Sequence, residues 1–76
     1  MKPYKNLNGN SGVTAYEIGE DFIAVQFGTS VTYWYSFDSP GAAHVIEMKR
    51  LAKAGRGLAE YIATHPAVRE GYQRKG

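Results

Sequence analysis

Cysteine is absent from this 76-residue chain, which excludes disulfides and thiolate-held zinc as supports for a small core. A reducing compartment is permitted. No segment approaches the roughly 20 apolar residues that a membrane span needs, and the opening Met1-Lys2-Pro3-Tyr4-Lys5-Asn6 lacks the apolar run of a signal peptide. A soluble cytoplasmic protein with no membrane partner is expected. Groupings that carry chemistry are missing as well. His44 and His65 have no further nitrogen or sulfur ligand at workable spacing, so no metal site is expected. Ser11, Ser30, Ser36 and Ser39 have no base at fixed spacing, and no carboxylates pair on complementary faces, which leaves no catalytic residue to name. Gly55-x-Gly57 is too short for a nucleotide fingerprint and no strand leads into it. The chain reads as a non-enzyme without cofactors. It also lacks internal repeats and low-complexity tracts.

What is present is apolar and aromatic. A hydrophobic fraction of 43% with 13% aromatics argues for a globular chain rather than a disordered one. Its length makes residues 1–76 one domain, of a size that buries only about 60% of its potential surface. The net charge of +2 and pI near 9.0 permit nucleic acid as a partner without demanding it.

Val31-Thr32-Tyr33-Trp34-Tyr35-Ser36-Phe37 is dense in β-branched and aromatic residues and predicts a strand. Alternation points Val31, Tyr33, Tyr35 and Phe37 to one face and Thr32, Trp34 and Ser36 to the other. The first face, with four large apolar groups, becomes the core. Phe22-Ile23-Ala24-Val25-Gln26-Phe27 predicts a second strand with Ile23, Val25 and Phe27 inward, joined to the first through Gly28-Thr29-Ser30 as an antiparallel hairpin. Residues 12–18 predict a third strand of undecided facing, since Val13 and Ala15 share one side and Tyr16 and Ile18 the other. Residues 1–10 form a loose arm, rich in Asn and Gly, from which Leu7 can still tuck against the core.

Asp38-Ser39-Pro40-Gly41 marks a helix start, with Asp38 or Ser39 as N-cap and Pro40 in the first helical position. Val45, Met48 and Ala52 fall on one helical stripe with Leu51 beside them, while Ile46 falls on the polar side. Gly55 and Gly57 stop this helix near residue 54. Leu58, Tyr61 and Ile62 begin a second helix that must end by His65, because Pro66 disfavours a helical residue before it. A further turn can form over 67–72, and residues 73–76 read as a frayed tail. The expected fold is α+β: a three-stranded antiparallel meander followed by two helices packed on one face of the sheet. Its opposite face should then stay partly open around Trp34, Gln26 and Thr32, with Tyr16 a further candidate.

These residues bear a family likeness. Tyr33-Trp34-Tyr35, preceded by Ile23-x-Val25-x-Phe27 and followed by Gly55-Arg56-Gly57-Leu58 and Tyr61-Ile62, resembles the KTSC domain. That domain closes certain bacterial lysyl-tRNA synthetases and also occurs as short stand-alone proteins. Its central tyrosine-x-tyrosine motif is matched by Tyr33 and Tyr35, and its upstream serine and tyrosine by Ser11 and Tyr16. The likeness spans roughly residues 10–72. The chain departs at Asp38-Ser39-Pro40, where the family has a valine-proline step, and at Ala54, where it has a serine. The resemblance implies a small bacterial or phage protein of uncharacterised role, with RNA binding the one suggested activity.

Two features point toward a ligand. Lys49, Lys53 and Arg56 recur at helical spacing with Arg50 on the flank, a stripe able to follow a phosphate backbone. Set between two glycines, Arg56 can present its fork to a phosphate or satisfy helix-end carbonyls. Trp34 on an open sheet offers a surface on which an unpaired base can stack. Against these stand the ordinary roles of a solvated helix face and a packed indole. Whether stripe and indole share one surface is left open, because the helices cover the other side of the sheet. The expected function is a small non-catalytic binding module for RNA or single-stranded nucleic acid through Lys49, Arg50, Lys53, Arg56 and Trp34. The alternative is a protein-interaction module or homodimer using the same open face.

Overall fold

The computed structural model describes residues 1–7, 9 and 11–76; Asn8 and Asn10 of the expected loose arm lie outside the described residues. Their order along the chain is β1 (Lys2–Pro3), β2 (Val13–Ile18), β3 (Phe22–Phe27), β4 (Val31–Ser36), α1 (Ala42–Ala54), α2 (Leu58–Thr64), α3 (Pro66–Arg69) and β5 (Arg74–Lys75). The strands form one antiparallel sheet in sequence order, and the helices pack on one of its faces. The α+β expectation holds in outline. The sheet has five strands where three were expected, and the helical layer has a short third helix.

Both additions come from the chain ends. The arm is held, because Lys2 pairs with Tyr16 and Pro3 with Ala15 on β2. Tyr4, next along, is buried, and its hydroxyl accepts the N–H of Leu58 at 3.3 Å. That N–H belongs to the first residue of α2, whose own N-cap, Gly57, offers no side chain. The arm thus supplies a cap from 54 residues away, satisfying a donor that a helix start leaves unpaired. Leu7, expected to tuck inward, is exposed; it is the backbone N–H of Leu7 that docks, donating to the Gly55 carbonyl at 2.7 Å. At the other end the expected frayed tail pairs with β4. Gln73 donates to the Trp34 carbonyl, and Thr32 and Gly76 exchange two bonds of 2.7 and 2.8 Å. Without it β4 would present a row of unpaired backbone groups.

The register settles the undecided facing of β2. Residues directly opposite in antiparallel strands share a face, and Val13 pairs with Phe27 while Tyr16 pairs with Val25. Two inward residues three positions apart are incompatible with a regular strand. A register shift between Val13 and Ala15 accommodates them, as a β-bulge does by inserting one extra residue. Val13 and Tyr16 are therefore both buried, and Tyr16 belongs to the core, not to the open face. Ile23, Val25 and Tyr35 share that core with Val45, Met48 and Ala52 of α1, Leu58 and Ile62 of α2, and Val68 of α3. As expected, Ile46 points to solvent.

Two further expectations need correction. Phe37 lies beyond the end of β4 and is exposed, with the Lys49 ammonium 5.3 Å above its ring. Asp38 and Ser39 do not cap α1, nor does Pro40 open it. Ser39 Oγ donates to the Gly71 carbonyl at 2.7 Å, Pro40 forms a bridge with Ser36, and the helix starts at Ala42 after Gly41 with no side-chain cap. At its other end α1 stops at Gly55, whose positive φ of 79° and N–H bonds to Leu51 and Ala52 carbonyls close the last turn.

Candidate functional site

Two cross-strand rows define the open face around the indole. Glu17 pairs with Ala24, Ala24 with Trp34 and Trp34 with Arg74, so these four form one row across the sheet. Beside it run Ala15, Gln26 and Thr32. Trp34 is partly exposed, as its alternation predicts. The Arg74 guanidinium carbon sits 4.2 Å from the indole centroid, a stacked cation–π geometry. Next to this pair is a groove of about 510 Å³ lined by Phe22, Ser36, Gln73, Asp21 and Asp38 in addition to Trp34 and Arg74. Flat rings, a planar cation and carboxylate and amide acceptors line one depression. Arg74 is a site residue that sequence reasoning missed, since it lies in the segment read as a tail. Only its pairing opposite Trp34 gives it a place.

The helix stripe is dispersed. Lys49 Nζ donates to the carbonyls of Gly19 at 2.8 Å and Glu20 at 3.1 Å, so it closes the β2–β3 turn against α1. Arg50 makes a two-pronged ion pair with Glu47 one turn back. The hydrogen bond from Arg50 holds the Glu47 carboxyl below its ordinary range. Lys53 and Arg56 are exposed; Lys53 lies over the β1–β2 edge beside Lys2 and Glu17, and Arg56 sits between the helices. Since α1 packs on the core face, none of the four approaches Trp34.

The histidines, distant in sequence, come together. His44 Nδ1 lies 2.7 Å from the Tyr61 hydroxyl, and the His65 ring stacks on Tyr61 at 3.9 Å. His65 Nδ1 also bonds the Tyr61 carbonyl at 2.8 Å. The three rings lock the start of α1 to the end of α2. Among the described residues no three His, Cys, Asp or Glu side chains are placed to share a metal ion.

No family model, curated protein or solved structure matches the chain.

On the core face the helices stop short of the Phe27–Val31 end of the hairpin. There Phe27, Val31, Tyr33, Tyr35, Ile62, Arg69 and Tyr72 line a cleft of about 370 Å³, where complete cover by the helices was expected. Burial, followed by the neighbouring phenols of Tyr33 and Tyr72, pushes Tyr35 far above the ordinary phenol value of 10.0. A raised value in the fold means that neutral Tyr35 stabilises it at every pH below about 10, and that this contribution is lost as pH climbs further and the unfolded phenol ionises. In a spectrophotometric titration one of the six tyrosines should remain protonated until the alkaline unfolding transition. Ionisation of all six before unfolding would contradict this placement.

Proposed function

We propose that the chain is a small non-catalytic binding module for single-stranded nucleic acid, and that its contact surface is the open sheet face rather than the helix stripe. The carrying observation is the Trp34–Arg74 pair standing beside an aromatic and acceptor-lined groove. Bases stack on indole and guanidinium planes alike, so a base can extend this pair. Asp38, Asp21 and Gln73 at the groove can meet the edge of a base, and Arg74 can meet its phosphate. Lys53 and Arg56, exposed elsewhere, contribute only long-range attraction. The KTSC resemblance supports the same reading.

The alternative, a protein partner or second copy of the chain joined through the open sheet face or an edge strand, draws less support. Both edges are two-residue strands, and short edges limit pairing with another chain. The exposed large apolar residues Met1, Leu7, Phe37, Ile46 and Tyr72 are spread over the arm, the end of β4, α1 and the C-terminal segment.

Trp34 is the single tryptophan, so its emission reports directly. Titration with oligouridylate and oligocytidylate should quench it saturably, with affinity falling steeply as salt rises. Trp34→Ala, followed by anisotropy of a labelled oligonucleotide, should weaken binding by about 5- to 150-fold, the equivalent of roughly 1–3 kcal/mol per stacked base. Absence of binding to any single strand at low salt would overturn the reading.

A further inference from the structure

The cleft on the core face has no part in the nucleic-acid reading. It lies on the opposite side of β4 from Trp34, and its lining has the composition of a small-molecule site: apolar walls with a few polar groups converging. Tyr33 is its floor. Phe27 meets that ring edge-on at 5.6 Å and Tyr72 does so at 4.8 Å, while Tyr35 stacks beside it at 6.4 Å. Val31 and Ile62 supply aliphatic walls. The exposed part of this lining suits a flat apolar ligand, to which aromatic rings can offer edge-to-face contacts.

Two polar groups set the chemistry of such a ligand. Tyr35 is 1% exposed, and its hydroxyl has no hydrogen-bond partner among the described residues. Among the described residues no side-chain polar atom is both sealed from solvent and unpartnered, so this hydroxyl meets its surroundings through the cleft that Tyr35 lines. Kept neutral by burial, it is a donor. At the rim stands Arg69. One of its nitrogens donates to the Ala63 carbonyl at 3.0 Å, and another lies 3.5 Å from the Glu70 carboxylate in an exposed pair. A guanidinium has five N–H donors, so this anchoring leaves donors for an acceptor at the mouth. Lys75, with Nζ 5.5 Å above the Tyr33 ring, adds a second positive charge against the single negative charge of Glu70.

We propose that this cleft binds a small aromatic carboxylate, its ring against Tyr33 and Tyr72 and its carboxylate held by Arg69 with the Tyr35 hydroxyl as a further donor. Donors and positive charge without a matching buried acceptor favour an anion over a neutral or cationic ring.

The test uses phenylacetate and its neutral analogue phenylacetamide, titrated into isotopically labelled protein with amide resonances followed by NMR. Phenylacetate should move the Tyr33, Ile62 and Tyr72 amides saturably in the millimolar range, and phenylacetamide should bind about tenfold more weakly, as expected when a charge-assisted bond is lost. Arg69→Gln should bring the acid down to the level of the amide. Tyr35→Phe should weaken phenylacetate, while Trp34→Ala should leave it unchanged, which separates this cleft from the nucleic-acid surface. Absence of saturable shifts, equal binding of acid and amide, or an acid affinity indifferent to Arg69→Gln would each overturn the proposal. Should Tyr35→Phe unfold the protein, the acid–amide comparison and the surface variant Arg69→Gln still decide.

Discussion

Tyr35→Ala is expected to move the urea midpoint of unfolding well below that of the parent chain. Tyr35 heads the fully buried side chains by volume and sits near the C-terminal end of β4, where it touches the sheet core and the ring of Tyr33. Truncating a buried aromatic to alanine costs about 3–5 kcal/mol, through lost burial and the cavity left behind. At roughly 0.05–0.15 kcal/mol per residue, a chain of this length has about 4–11 kcal/mol of stability in all. One substitution therefore removes at least about a quarter of it. Tyr35→Phe should behave differently. Its hydroxyl has no partner among the described residues, so deleting it orphans none of their polar groups, and the change should stay within about 1 kcal/mol. Urea unfolding of the two variants checks both statements; a loss under about 1 kcal/mol for Tyr35→Ala would show that Tyr35 is not the centre of the core.

The second large effect is expected at Gly55. Its φ of 79° lies where a side chain costs about 1–2 kcal/mol. A Cβ there would also stand 2.7 Å from Cβ of Lys5, a distance that forces the arm to move. The arm cannot move without lengthening the bond from the Leu7 N–H to the Gly55 carbonyl and drawing Tyr4 away from its cap on Leu58. Gly28 is the matched control, with a φ of 62° and nothing within 4 Å of a built Cβ. Gly28→Ala should cost the backbone strain alone, and Gly55→Ala about 1–2 kcal/mol more through the lost hydrogen bonds. Amide exchange at Tyr4 and Leu7 should accelerate in Gly55→Ala only. Equal losses in the two variants would mean that the arm does not bear on the helix junction.

How much of this was legible depends on the range over which each signal acts. Alternation along Phe22–Phe27 and Val31–Ser36 is local, and it gave the hairpin, its faces and the outward indole. Helical spacing gave the buried stripe of Val45, Met48 and Ala52, and Gly55 and Pro66 gave the helix limits. Long-range choices were not legible. A two-residue strand has no period to detect, so neither Lys2–Pro3 nor Arg74–Lys75 left a pattern. The bulge that turns both Val13 and Tyr16 inward is set by the register against β3, not by β2 itself. Ser39 looked like a cap because its intended acceptor, the Gly71 carbonyl, is 32 residues away. Lys49 looked like part of a phosphate stripe because the carbonyls of Gly19 and Glu20 are as remote. The position of Trp34 was therefore readable, whereas its partner Arg74 was not.

Successive residues of β5 serve opposite sides of the sheet. Arg74 lies over Trp34 on one side, and Lys75 lies over Tyr33 on the other. Peeling this segment from β4 would strip a cation from both aromatic surfaces in one motion. A clip, truncation or bulky fusion at residues 73–76 should therefore disarm the two surfaces together, even though no path of packed side chains needs to join them.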